Sequence, residues 1–128
     1  MEDRFDKGMS VLKITNKDNI NDIFKWFEDI APDLARFIVE FPYSEIYTRE
    51  AVDLKTRELC TIASLTTLGA IPELKSHIEG ALNVDCTPTE IVEIIMQMSA
   101  YIGFPRTIEA MFAAKEIFEE KDLLPLTE

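Results

Sequence analysis

The chain holds one histidine, His77, and a helix-forming run places Leu74, Ile78 and Ala81 around it at three- and four-residue spacing. That spacing turns the imidazole toward the interior or a pocket rather than bulk water. Two roles fit such a ring. It is a hydrogen-bonded core group, or it is a proton donor, because imidazole can both give and take a proton near neutral pH. Lys55, Arg57, Lys75 and Arg106 are the cations around it in the sequence. An arginine among them offers a planar fork that matches a carboxylate, and each is otherwise a solvated surface charge. Cys60 and Cys86 are the two thiols. They are too few for a disulfide framework, and a small buried residue is the ordinary role for each. One histidine and two distant cysteines cannot build a structural zinc site, so no metal is expected. The four glycines are scattered, so there is no phosphate-binding loop.

Composition narrows the partners. Lys and Arg number 13 against 24 Asp and Glu, a net charge of −11. Nucleic-acid binding depends on cations neutralising phosphates, and anionic membrane surfaces attract basic segments, so neither partner is expected. A protein this negative that takes an acidic substrate must gather its few cations locally. Apolar residues make up 47% of the 128-residue chain, enough for a core, and the length predicts a single domain over 1–128. The opening MEDRFDKGMS is charged with no apolar run behind it, so neither signal peptide nor membrane span is read and a cytoplasmic location is expected.

The elements that position these residues all read as helices, because no alternating run rich in Val, Ile and Thr suggests a sheet. Helices are predicted over 2–13 and 18–30, the second with an apolar stripe of Ile23, Trp26, Phe27 and Ile30. Pro32 opens a third that should stop near Pro42, leaving PYSEIY as a connection. Asp53 is a predicted N-cap for a helix running to Leu68, with Gly69 as its stop. Pro72 opens the helix that carries His77. Thr87, Pro88 and Glu90 form a capping-box start for IVEIIMQMSAYIGF, which Gly103 and Pro105 end. That run is so apolar that it should be buried on nearly all sides, and burial between subunits is the simplest way for a chain this small to achieve it. Met96, Met98, Tyr101 and Phe104 should then pack in the core or at the subunit contact. A last helix runs to about Lys121, and the tail LLPLTE should be loosely held.

Three features of residues 53–109 occur in order: the charged helix start DLKTRE, a lone histidine ahead of GAL, and the block TPTEI…YIGFP. With the upstream APDLARFIVEFPYSEIY, this resembles the carboxymuconolactone decarboxylase family, within the wider alkylhydroperoxidase D-like group, over roughly residues 30–118. The resemblance implies an all-α alkylhydroperoxidase D-like bundle of about six to seven helices, assembled as a homo-oligomeric ring of three or six copies. In the redox branch of that group a histidine closes a CxxCxxxH motif. Laid on this sequence that histidine is His77, and the two cysteine positions fall on Ala70 and Glu73, neither of which can form a thiolate. The branch's glutamate, twelve residues before the first cysteine, falls on Glu58. The two proton-relay groups are thus present and the sulfurs between them are not. If the helices around Gly69 pack as an antiparallel hairpin, Glu58 lies roughly 9 Å along the axis from the level of His77. Direct contact, a bridging water and a subunit neighbour all stay open. Without the relay, Glu58 is an ordinary acid in a helix's first turn, favoured there by the dipole.

The leading expectation is a cofactor-free lyase that removes CO₂ from 4-carboxymuconolactone or a related small carboxylated lactone or acid. His77 is its proton donor, Glu58 the partner, and Arg57 or Arg106 the substrate anchor. The alternatives are a thiol or peroxide redox protein using Cys60 or Cys86, and a non-catalytic oligomeric module that binds a small acid.

Overall fold

A computed structural model of the chain describes residues 3–127. Among the described residues there are seven α-helices, one π-helical segment and no strands, the all-helical architecture expected of an alkylhydroperoxidase D-like bundle. The chain divides into two compact units, Met1–Leu54 and Lys55–Glu128. Among the described residues no helix is long and apolar enough to cross a membrane.

The first unit holds α1 (Arg4–Thr15), α2 (Asp22–Phe27), α3 (Pro32–Ile38) and the π segment Val39–Ile46. Asp3 caps α1 by accepting from the Phe5 N–H at 2.8 Å. Gly8 lets α1 lie directly on the π segment, since a Cβ there would overlap the Val39 carbonyl. Val11, Leu12, Val39 and Tyr43 form the core of this unit. The helical path does not end at Pro42 as the sequence predicts. Proline has no N–H and its ring crowds the carbonyl four residues back, and here the chain widens its turn instead of stopping. The Tyr47 N–H accordingly donates to the Pro42 carbonyl, five residues back, at 2.8 Å. The expected stripe on α2 is only half realised. Ile23 and Phe27 are half-buried, while Trp26 and Ile30 are exposed, because α2 ends at Phe27 and Ile30 lies in the turn beyond it.

The second unit is built from α4 (Leu54–Leu68), α5 (Ile71–Asn83), α6 (Pro88–Ile102) and α7 (Phe104–Glu120), with α4 beginning one residue before it. Gly69, at φ +69, turns the chain out of α4, and Pro72 lies in the first turn of α5. The capping box at α6 is complete: Thr87 Oγ1 accepts from the Glu90 N–H at 3.0 Å and Glu90 Oε1 accepts from the Thr87 N–H at 2.9 Å. Ala110, Ala113 and Ala114 on the buried face of α7 let α5 and α6 approach it closely. Ile62, Leu74, Ile78, Ile91, Ile95, Ile117 and Phe118 fill the core between them.

Within one chain α6 packs closely on α5 and α7, which cover one side of it: Ile91 and Ile95 are fully buried, and Met96, Tyr101 and, just beyond the helix, Phe104 are exposed. One expectation fails in this unit. The tail is not loose, because Leu124 and Leu126 pack against the core and the Leu123 N–H donates to the Phe118 carbonyl at 2.9 Å.

Candidate active site

The buried face of α4 carries Glu58, Ile62 and Thr66 at four-residue intervals, each fully shielded from solvent. Helix α5 buries Leu74, Ile78 and Ala81 and holds His77 at the edge of that face. The two helices bring His77 Nδ1 to 3.0 Å from Glu58 Oε2 and 3.4 Å from Oε1. In the tautomer that donates its Nδ1–H to the carboxylate, Nε2 is left as the ring position that can carry or release a second proton. Burial divides the roles further. Glu58 has no exposed surface, whereas the His77 side chain keeps 22% of its own, so the imidazole is the part of the pair that a small molecule can meet.

The pair is closer than the hairpin register suggests. Helix α5 packs most closely on α7 rather than lying in tight register with α4, and the two long side chains close the remaining gap directly. No water or neighbouring subunit is needed to bridge them.

The candidate cations are placed less favourably for a ligand. Arg57 precedes Glu58 on α4, about 100° around the helix from it, and is half-buried. Arg106 is exposed, and its guanidinium folds over Gly69 to donate to the Leu68 carbonyl at 2.8 Å, which caps the C-terminus of α4. Lys75 is paired with Glu116. Lys55 is paired with Glu90 at 3.0 Å. The Thr87 backbone N–H and the Lys55 ammonium together hold the Glu90 carboxyl below the usual carboxylate range.

Cys60 and Cys86 are not joined in a disulfide. Cys60 is exposed, and Cys86 is buried with its Sγ 3.6 Å from the Lys55 carbonyl. Among the described residues no group of His, Cys, Asp and Glu is arranged to hold a metal ion.

Sequence reasoning missed the junction where Lys55 meets both Glu90 and Cys86 and so ties the start of α4 to the start of α6. The capping box marks Glu90, but nothing in the sequence marks Lys55 as its partner. Thr66 was also missed, although its spacing of eight residues from Glu58 puts it on the same buried face.

The sequence profile of the carboxymuconolactone decarboxylase family matches residues 32–116, which include the whole of α4, α5 and α6 and both members of the Glu58–His77 pair. The chain belongs to the carboxymuconolactone decarboxylase family. It is 31% identical over 125 residues to a 4-carboxymuconolactone decarboxylase of Acinetobacter baylyi, across 97% of this chain and 93% of that one. It is 26% identical over 117 residues to a nitrosuccinic acid decarboxylase of Metarhizium robertsii, covering 91% and 82% of the two chains. An uncharacterised 15.0 kDa protein of Paracoccus denitrificans is 34% identical over 97 residues, covering 74% and 72%. Relatives named for a decarboxylase activity thus support a decarboxylase in this member of the family as well.

Proposed function

We propose that this chain is a cofactor-free carboxy-lyase acting on 4-carboxymuconolactone or a related small acid, with His77 as the proton donor. The observation that carries the reading is the Glu58–His77 contact at 3.0 Å, with the carboxylate sealed in the core and the imidazole still accessible.

The two decarboxylase relatives are named for substrates with a common chemistry. In each, the electron pair left by departing CO₂ has somewhere to go: an unsaturated lactone in one, a nitro group in the other. A substrate of this kind supplies its own electron sink. The protein then has three tasks: to surround the departing carboxylate with apolar groups, to anchor a second carboxylate, and to protonate the carbanion. For 4-carboxymuconolactone the C–CO₂ bond breaks and its pair forms a new double bond. The existing double bond shifts and takes a proton from His77 Nε2, which gives the enol-lactone. Glu58 touches no substrate in this scheme. It fixes the ring through Nδ1 and stabilises the imidazolium before transfer. Arg57 or Arg106 is the anchor, since a guanidinium offers a planar fork that matches a carboxylate.

The test is CO₂ release from 4-carboxymuconolactone and from nitrosuccinate, with His77→Gln beside the wild type and folding followed by circular dichroism. Loss of the general acid should lower kcat by about 10²–10⁴-fold. A folded His77→Gln protein with unchanged kcat would remove His77 from the mechanism. A wild type inert on both acids would sink the lyase reading. Alkylation of the exposed Cys60 should leave the rate unchanged, and a rate that disappears with the thiol would favour redox chemistry instead.

A further inference from the structure

The chain has one imidazole, and one edge of that ring is already taken. Nδ1 lies 3.0 Å from Glu58 Oε2 and 3.4 Å from Oε1. The carboxylate has no exposed surface, so it reaches no ligand, while the His77 side chain keeps 22% of its own. The ring is thus anchored on one edge and open on the other. A bound molecule meets a single proton-transferring atom, Nε2, and meets it from one side. The one acid of α5 on the same side of the helix as His77 is Glu73, four residues earlier and exposed.

We infer that the protein has a second activity, a proton exchange that swaps one, and only one, of the two hydrogens on the carbon that decarboxylation protonates. The inference rests on the lyase reading for the identity of that carbon. In the enol-lactone product it is the ring CH₂ beside the lactone carbonyl. Its two hydrogens project from opposite faces of a nearly flat ring. A proton delivered along one path leaves along the same path in reverse, so the imidazole that donates it forward removes it from the product.

The step balances without any co-reactant. Neutral Nε2 takes the hydrogen on its own face, and the C–H electron pair moves onto the carbonyl oxygen as a dienolate. The buried Glu58 carboxylate stabilises the imidazolium so formed. The imidazolium trades its proton with solvent through the exposed edge of the ring. The pair then returns to carbon and takes the solvent-derived proton from Nε2. Nothing is oxidised or reduced, and CO₂ takes no part. The hydrogen on the far face stays, because Glu58 is sealed in the core and His77 is the sole histidine. A site with bases on both faces would exchange both hydrogens, and so does free solution, which treats the two faces alike.

The experiment places the enol-lactone with the full chain in deuterium oxide and follows the ring CH₂ by proton NMR, with the protein-free rate subtracted. CO₂ release from 4-carboxymuconolactone is measured in parallel. The CH₂ signal should fall to half and stop. His77→Gln should slow the exchange by about 10²–10⁴-fold, the worth of a positioned acid–base group. Glu73→Gln should leave it unchanged. Four results would overturn the inference: CO₂ release with no exchange, a signal that decays to zero above background, exchange that survives in His77→Gln, or exchange lost in Glu73→Gln. The first of these leaves the lyase reading standing. A wild type that exchanges one hydrogen yet releases no CO₂ would sink the lyase reading and keep the exchange, and one that does neither would end both.

Discussion

Removing the imidazole should unfold this protein more readily than removing the charge beneath it. In His77→Ala the Glu58 carboxylate keeps its buried position but loses its donor. It must then hold an unpaired charge in the core or take up a proton to be rid of it. Breaking a buried pair from one side costs about 3–5 kcal/mol, and the 22% exposure of His77 puts this site at the lower end, about 3 kcal/mol. An unfolding entropy of about 2.1 cal/mol/K per residue gives about 0.27 kcal/mol/K for 128 residues, so 3 kcal/mol lowers Tm by about 11 °C. Glu58→Gln removes the charge but keeps a group of the same shape, and it should leave Tm within about 4 °C of wild type. The double variant His77→Ala/Glu58→Gln is the decisive one. With no buried charge left, it should lose less than half of what His77→Ala loses. The assay is thermal unfolding by circular dichroism at one protomer concentration. A double variant that loses the full sum of the two single losses would refute the reasoning, because the carboxylate would then not be the source of the cost.

Two further outcomes follow from the ends of the helices. Gly69→Ala should destabilise by about 1–2 kcal/mol in urea unfolding, since it places a Cβ at φ +69 and drives it into the Arg106 guanidinium; part of that loss should disappear in Gly69→Ala/Arg106→Ala, where only the backbone strain remains. The depressed Glu90 carboxyl adds stability that is complete above its ordinary value of 4.5 and is lost as pH falls through the lower folded value, so Glu90→Gln should flatten the fall in Tm below about pH 4.5 and leave the slope near neutrality unchanged.

Helix limits in the second unit were legible because each is written in local chemistry. Gly69, Pro72, the Thr87–Glu90 box and Gly103 act within one turn of themselves, and each helix starts or stops where they predict. The segment through Pro42 was misread for the complementary reason. The proline forbids only the α-type bond, and the choice between ending the helix and widening it was made by packing against α1, which no local signal records. The apolar run of α6 was legible from composition, which reports how much apolar surface a helix offers; within one chain Met96 and Tyr101 are exposed. At the site, His77 was visible as the lone imidazole on an apolar face, and Glu58 only through the family resemblance. Their contact depended on the spacing between α4 and α5, which sequence registers poorly.

The helix that carries Glu58 is fastened at both ends by other helices. At its start Lys55 is bound to Glu90 through its ammonium and to the Cys86 thiol through its carbonyl, and at its end the Leu68 carbonyl is held by Arg106. A rod pinned in this way can neither slide along its axis nor fray toward the acid. Under the proposed lyase mechanism, the orientation of the imidazole is then set when the chain folds and need not be searched for again in each catalytic cycle. On that proposal, whatever adapts to the shape of a particular acid lies in the side chains around the pair, so a change of substrate can proceed without disturbing the proposed proton donor.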